Sequence, residues 1–128
     1  MDTHRRFMQR ALNISRLGRS SVSPNPIVGC VIVKNNKIIG EGYHNQFGGP
    51  HAEVLAVRNS TESVCGATAY VTLEPCNQSG KTPPCLRLLI ESNIEKVVIG
   101  IKDPNPMMSH SGIDQLKAAG IQTDLGIL

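Results

Sequence analysis

Two β-branched runs joined by a tight turn constrain the fold of this chain more than any other local feature. Residues 28–34 and 37–42 are rich in valine and isoleucine, and the pair Asn35-Asn36 separates them. Asparagine tolerates the positive φ angles that a two-residue hairpin turn requires. The pattern therefore predicts an antiparallel β-hairpin at these residues.

Segments with helical and extended patterns alternate after the hairpin. Strands are predicted over residues 67–73, 95–101 and 121–125, and helices over residues 51–59, 84–92 and 111–119. Strands that alternate with helices favour an α/β sandwich built on a mixed sheet. Glycines and prolines are scattered, and no linker or repeat divides the sequence, so we expect a single domain over residues 1–128.

The start of the chain predicts one more helix, over residues 2–17. Its inward face is expected to contain Met8, Ala11, Leu12 and Ser15, with Gly18 suited to end the helix. This region is also basic and carries Arg5, Arg6, Arg10, Arg16 and Arg19. A solvated helix face is the simplest interpretation of these arginines, and contact with RNA or another subunit is the alternative.

Composition excludes several classes of protein. With 128 residues and 40% apolar residues, the chain can bury roughly two thirds of its unfolded surface, which suffices for one core. Its longest apolar run, residues 27–33, is far shorter than the roughly 20 residues of a membrane span. The N-terminal segment is polar and does not have the apolar region of a secretory signal. We therefore expect a soluble, cytoplasmic protein. Aromatic residues make up only 3%, so a general nucleic-acid coat is not expected.

The four cysteines favour metal ligands or reduced thiols over disulfides, because disulfide frameworks suit small secreted chains. Cys30 lies inside an apolar run and is interpreted as a small core residue. Cys65 is interpreted as a bystander. The remaining pair, Cys76 and Cys85, has residues 77–84 between its members.

The residues suited to chemistry are His51-Ala52-Glu53 and this cysteine pair. One imidazole and two thiolates are three good zinc ligands, and a catalytic zinc keeps its fourth position for water. Glu53 is not needed as a ligand, so its carboxylate could take a proton from the water and return it to a leaving group. These groups fall at predicted helix N-termini, which favour thiolates. The set suits hydrolysis.

A His-x-Glu sequence followed by Pro-Cys and a second cysteine is the signature of zinc nucleobase deaminases, here with a longer cysteine spacing. Over essentially its whole length the chain resembles the deaminase domain of the bacterial riboflavin-biosynthesis deaminase/reductase family. The segments that carry the resemblance are Pro24-Asn25-Pro26, Val28-Gly29-Cys30, Gly42-Tyr43-His44, and residues 50–54, 72–76, 80–85 and 103–106.

The resemblance implies a cytidine-deaminase-like fold, which is a three-layer α/β/α sandwich with a mixed five-stranded sheet. It implies one Zn²⁺ per chain, held by His51, Cys76 and Cys85, with Glu53 as the catalytic residue. The implied reaction converts a ring amine of 2,5-diamino-6-ribosylamino-4(3H)-pyrimidinone 5′-phosphate to a carbonyl with release of ammonia.

The residues that the resemblance implies for substrate binding are Asn25, His44, Lys81, Asp103 and Asn105. This set is chemically reasonable, because Lys81 offers a phosphate a compact charge, and Asn and Asp match ring donors and acceptors. The resemblance also suggests a homo-oligomer. The family usually carries a reductase domain, which residues 1–128 lack, so a separate reductase is a candidate partner.

Two other interpretations stay open. One is a deaminase of another base, a nucleoside or tRNA, which the basic N-terminal segment motivates. The other is a catalytically silent zinc-binding partner subunit. It is motivated by Asn77-Gln78-Ser79, where family members usually have Ser-His followed by His or Tyr.

Overall fold

The computed structural model describes residues 2–18, 28–43, 51–73, 84–101 and 111–126, and the structural statements below concern these ranges. The helices are α1 (Asp2–Ser15), α2 (Ala52–Arg58), α3 (Pro84–Glu91) and α4 (Ser111–Ala118), and a 3-10 turn (Arg16–Gly18) follows α1. The strands are β1 (Gly29–Lys34), β2 (Lys37–Tyr43), β3 (Thr68–Leu73), β4 (Lys96–Ile101) and β5 (Gln122–Leu125). Each predicted element is confirmed, with small shifts at its ends.

The strands form one five-stranded mixed sheet in the order β2-β1-β3-β4-β5. β1 pairs antiparallel with both β2 and β3, whereas β3, β4 and β5 run parallel. The hairpin prediction is confirmed at its turn, because Asn35 and Asn36 adopt φ angles of 54° and 64°. Both angles lie in the left-handed region that a type I′ turn needs.

Helices cover both faces of the sheet, which confirms the predicted three-layer α/β/α sandwich. On one face α2, α3 and α4 bury the strand residues Cys30, Ile32, Val71, Val97 and Ile99. On the other face α1 buries Val31, Val33, Tyr70 and Val98 beneath Phe7, Met8, Ala11 and Ile14. The two sets alternate along the strands, since neighbouring strand residues point to opposite faces.

The N-terminal helix α1 is amphipathic, as its sequence predicts. Met8, Ala11 and Ser15 are fully buried, while Leu12 is only partly so. The arginines of the helix and its 3-10 turn, Arg5, Arg6, Arg10 and Arg16, are exposed, as a solvated face requires. Arg10 also pairs with Glu41 of β2 through two hydrogen bonds of 2.5 and 2.9 Å.

The segment after α2 covers the edge of strand β2. The backbone N–H of Thr61 donates to the carbonyl of Ile39 at 2.9 Å, and the side-chain amide of Asn59 donates to the carbonyl of Glu41 at 2.9 Å. Satisfied carbonyls make an edge strand a poorer template for pairing with another chain. The same bonds tie the C-terminal end of α2 to the sheet.

Among the described residues, none of the helices combines the length and apolar character required to span a bilayer.

Candidate active site

Helix α2 begins at the histidine of the His-x-Glu sequence. His51 is the N-cap residue, with an extended backbone (φ −74°, ψ 163°), and its carbonyl accepts a 3.2 Å hydrogen bond from the N–H of Leu55. Its side chain is exposed. His51 is therefore an exposed residue at the N-terminal end of the helix, which is the position that the sequence predicts.

Glu53 lies in the first turn of α2 and points inward. It is 3% exposed, although carboxylates are rarely buried without a functional or structural reason. Burial raises the pKa of Glu53 to about 7, against the opposing effect of a hydrogen bond from its own backbone N–H. A carboxyl with a pKa near neutrality can both accept and donate a proton in one reaction cycle, which is the requirement for general acid–base catalysis.

Residues of three neighbouring strands lie beneath this turn of α2. Gly42 of β2 pairs with Cys30 of β1, which also pairs with Val71 of β3. Cys30 is fully buried, so its interpretation as a core residue is confirmed. Burial and, to a lesser extent, the charge of Glu53 raise the pKa of the Cys30 thiol. The thiol therefore stays protonated next to the carboxyl group.

Helix α3 carries the second predicted cysteine ligand, Cys85, as its second residue. Fully buried Leu86 and Leu89 fix α3 to the same sheet face as α2, and the two helices contact each other. The N–H of Gly66 donates to the carbonyl of Asn93 at 2.9 Å, so the chain leaving α3 meets the start of β3. The N-terminal end of α3 therefore lies toward the end of β3.

The N-terminal ends of α2 and α3 thus lie at one edge of the sheet, which is the edge where strands β2 and β3 end. Gly42, near the end of β2, contacts the first turn of α2, and Val71, near the end of β3, is its neighbour across β1. The fold brings His51, Glu53 and the helix position of Cys85 to this edge. Several predicted site residues lie outside the described residues, namely Asn25, His44, Cys76, Lys81, Asp103 and Asn105. The side chain of Cys85 is also outside them. The roles of all these residues stay predictions.

Thr72 supports the same edge, and sequence reasoning gave it no role. It is 5% exposed, and its hydroxyl oxygen accepts a 3.0 Å hydrogen bond from the backbone N–H of Gly29. This bond joins the start of β1 to the end of β3, just before the segment that contains Cys76. A threonine near a strand end is an ordinary β residue by sequence, and only its strand pairing shows the contact.

Comparison with known proteins identifies the family. The profile described as "Cytidine and deoxycytidylate deaminase zinc-binding region" matches residues 1–101. A Buchnera aphidicola (subsp. Acyrthosiphon pisum) protein named diaminohydroxyphosphoribosylamino-pyrimidine deaminase is 55% identical over 122 residues, which cover 95% of this chain and 83% of that protein. The Escherichia coli riboflavin biosynthesis protein RibD is 50% identical over 95% of this chain but only 33% of its own length.

Solved structures agree with these relatives. Acinetobacter baumannii RibD matches with a TM-score of 0.92 and 48% identity, over 98% of this chain and 36% of that one. A Thermotoga maritima protein named as a diaminohydroxyphosphoribosylaminopyrimidine deaminase/5-amino-6-(5-phosphoribosylamino)uracil reductase matches with a TM-score of 0.90 and 47% identity, over 98% and 37%. The dCMP deaminase of cyanophage S-TIM5 matches with a TM-score of 0.73 and 23% identity over 93% of both chains, which shows a shared fold.

The chain spans about a third of the length of the RibD relatives but most of the Buchnera protein. The family profile covers the hairpin, the His-x-Glu helix and both predicted cysteine ligands. The chain therefore belongs to the cytidine and deoxycytidylate deaminase family and, within it, to the diaminohydroxyphosphoribosylamino-pyrimidine deaminases.

Proposed function

We propose that this chain hydrolyses the ring amine of 2,5-diamino-6-ribosylamino-4(3H)-pyrimidinone 5′-phosphate in riboflavin biosynthesis. The products would be 5-amino-6-ribosylaminouracil 5′-phosphate and ammonia. The observation that carries this proposal is the buried carboxyl group of Glu53 in the first turn of a helix capped by His51, in a chain 55% identical to a protein named for this deaminase activity.

His51, Cys76 and Cys85 would hold one zinc ion. The donor set suits zinc, because imidazole and thiolate are its preferred ligands, and the matching family profile is described as a zinc-binding region. The exposed His51 side chain and the helix position of Cys85 support this assignment, since both stand where α2 and α3 begin. Bound there, zinc would lower the pKa of a water molecule in its open coordination position toward neutrality.

Glu53 would move the protons that the hydrolysis requires. It is two residues beyond His51, and its carboxyl group is shielded from bulk water. The carboxylate would accept a proton as water attacks the ring carbon, and the resulting carboxylic acid would pass that proton to the ring nitrogen. As the carbonyl forms, the carboxylate would accept the second proton of the same water and donate it to the departing amine. One side chain would thereby serve first as a base and then as an acid, and the amine would leave as neutral ammonia.

The substrate would be held by Asn25, His44, Lys81, Asp103 and Asn105. Lys81 would pair with the 5′-phosphate, while the other side chains would bind the pyrimidine and the ribose. The identity of 48–55% to relatives named either for riboflavin biosynthesis or for this deaminase supports the choice of substrate over cytidine, adenosine or tRNA.

We further propose that residues 1–128 form one deaminase domain that works in the cytoplasm, as a homo-oligomer, together with a reductase. The Thermotoga relative combines the names of a deaminase and of a reductase that acts on 5-amino-6-(5-phosphoribosylamino)uracil. The product proposed for this chain is the substrate that such a reductase consumes.

The role of Glu53 is tested by a matched pair of variants, Glu53→Gln and Glu95→Gln. Glu95 is exposed and lies just before β4, so its variant controls for the loss of one carboxylate. Glu53→Gln is expected to bind zinc as the wild type does but to release ammonia about 100- to 10,000-fold more slowly, because a positioned proton-transfer group contributes that much. Near-normal release by Glu53→Gln would contradict the assignment.

A further inference from the structure

Helix α2 rests directly on strand β2, because two residues of the strand have no side chain. A Cβ atom on Gly42 would lie 2.4 Å from the backbone nitrogen of Ala56 and 2.5 Å from the carbonyl oxygen of Ala52. It would also lie 2.8 Å from Cβ of Leu55. Real Cβ atoms essentially never come within 3.0 Å of such atoms, so any larger residue here must displace the helix or the strand.

Gly40 makes the corresponding contact at the other end of the helix. Its Cβ would lie 2.2 Å from Oγ of Ser60 and 2.4 Å from the carbonyl oxygen of Ala56. The two glycines are two residues apart and therefore face the same side of the sheet. Gly42 thus supports the turn from residue 52 to 56, and Gly40 supports residues 56–60.

The two ends of α2 carry different chemistry. The end above Gly42 contains the N-cap His51 and the buried Glu53. The end above Gly40 is tied to β2 by the hydrogen bonds of Asn59 and Thr61 and has no predicted site residue. A displacement at the first end moves Glu53, whereas one at the second end moves a structural connection.

We propose that Gly42 is a positioning residue for Glu53: its missing side chain sets the depth at which the first turn of α2 lies on the sheet. The inference rests on the proposed role of Glu53 in proton transfer. Fully buried Ala52 and Ala56 contribute to the same close approach, since a larger side chain at either position would also lift the helix. Gly42 is not a catalytic residue, because it acts through Glu53.

The matched variants Gly42→Ala and Gly40→Ala test this proposal in the zinc-loaded chain. Both add one methyl group to the same strand face and should lower the thermal midpoint. Gly42→Ala is expected to lower kcat for ammonia release by on the order of 100-fold with little change in KM, because displacements near 1 Å at a reacting group have effects of that size. Gly40→Ala is expected to lower kcat by less than about 10-fold.

The changes in kcat and KM distinguish a displacement of Glu53 from a disturbance of substrate binding. A rise in KM without loss of kcat would place the effect on His44, the neighbouring predicted substrate ligand, and would overturn the proposal. Equal kcat values for the two glycine variants would also overturn it. If Gly42→Ala does not fold, Ala52→Val lifts the same end from the helix side and is expected to show the same loss of kcat, whereas wild-type kcat in this variant would contradict the proposal.

Zinc affinity gives a readout that is independent of turnover. Because His51 caps the end of α2 that Gly42 supports, Gly42→Ala should weaken zinc binding in a chelator competition more than Gly40→Ala does. If the wild type releases no ammonia from the ribotide, the proposed substrate is wrong, and the zinc competition then decides the role of Gly42. Equal zinc affinities of the two variants in that case would overturn it.

Discussion

The cysteines differ in how accessible their thiol groups are. Cys30 is fully buried beneath α2, and burial together with the nearby Glu53 raises its pKa, so it lacks the thiolate form that reacts. Cys65 is exposed in the turn that precedes β3. Cys76 and Cys85 are the proposed zinc ligands. These environments give the thiols a definite order of reactivity.

In the zinc-loaded protein, a thiol reagent is expected to modify Cys65 first. Cys76 and Cys85 should react only after a chelator removes the zinc, because bound thiolates are protected, and Cys30 should react only after unfolding. Mass spectrometry of the labelled peptides identifies each site, and Cys65→Ser should remove the first phase alone. Rapid labelling of Cys76 or Cys85 with zinc still bound would exclude that residue as a ligand.

At the scale of elements, the N-terminal end of α1 is joined to three strands by a polar cluster that sequence reasoning left unassigned. Nδ1 of His4 lies 2.7 Å from the hydroxyl of Tyr70 in β3, and its Nε2 lies 3.6 Å from a carboxylate oxygen of Asp124 in β5. Lys96 of β4 pairs with the same Asp124 at 2.8 Å. The cluster connects residues that are far apart in sequence, which is why no local pattern reveals it.

The cluster predicts a pH dependence of stability. Partial burial, followed by the positive charge of Lys96, lowers the pKa of His4 below its usual 6.5, whereas Asp124 opposes the shift. The unfolded chain therefore binds a proton at His4 more readily than the folded chain does. The free energy of unfolding should fall as the pH drops below about 6.5, as proton linkage requires.

Urea unfolding at pH about 7.5 and about 5.5 measures this effect against His4→Gln, which cannot titrate. The variant should lose less stability than the wild type between the two pH values. The comparison with His4→Gln is needed because other groups titrate in the same pH range. His4 is partly exposed, so its contribution to the free energy of unfolding is small. An equal loss in both proteins would show that His4 does not carry the dependence.

The elements differ in how far the sequence predicts them. The hairpin is predicted because Asn35-Asn36 determines its turn, and the end of α4 because Gly120 supplies a positive φ, here 85°. The role of Gly40 and Gly42 could not be predicted from the sequence, because a glycine within a strand pattern indicates only a locally weakened strand. Their role depends on the close approach of α2, a contact between separate elements.

The candidate site could likewise be predicted only in part. The His-x-Glu sequence is enough to identify Glu53 as a candidate, because the motif is defined by residue type and spacing. Its burial and its pKa of about 7 arise from the sheet beneath α2, and a sequence pattern does not describe that packing. Thr72 is a further case, because its bond to Gly29 requires β1 and β3 to be neighbours.

For the whole molecule, the two faces of the sheet are covered by different helices. α1 covers one face of the sheet, while α2 and α3 on the other face direct their N-terminal ends to one edge, where His51, Glu53 and Cys85 are placed. The Buchnera relative, most of which this chain covers, is named for the deaminase alone. We therefore expect the 128-residue chain to be active without the additional length of the RibD relatives.

The most direct test of the central claim is ammonia release by the zinc-loaded 128-residue chain from 2,5-diamino-6-ribosylamino-4(3H)-pyrimidinone 5′-phosphate. The ribityl form of this compound, dCMP and an adenosine-containing RNA serve as comparison substrates, each at the same concentration. The account predicts release from the ribotide that is abolished by a chelator and restored by zinc. Release from dCMP or RNA with none from the ribotide would contradict it and favour a deaminase of another base, and silence on every substrate with zinc bound would favour a non-catalytic partner subunit.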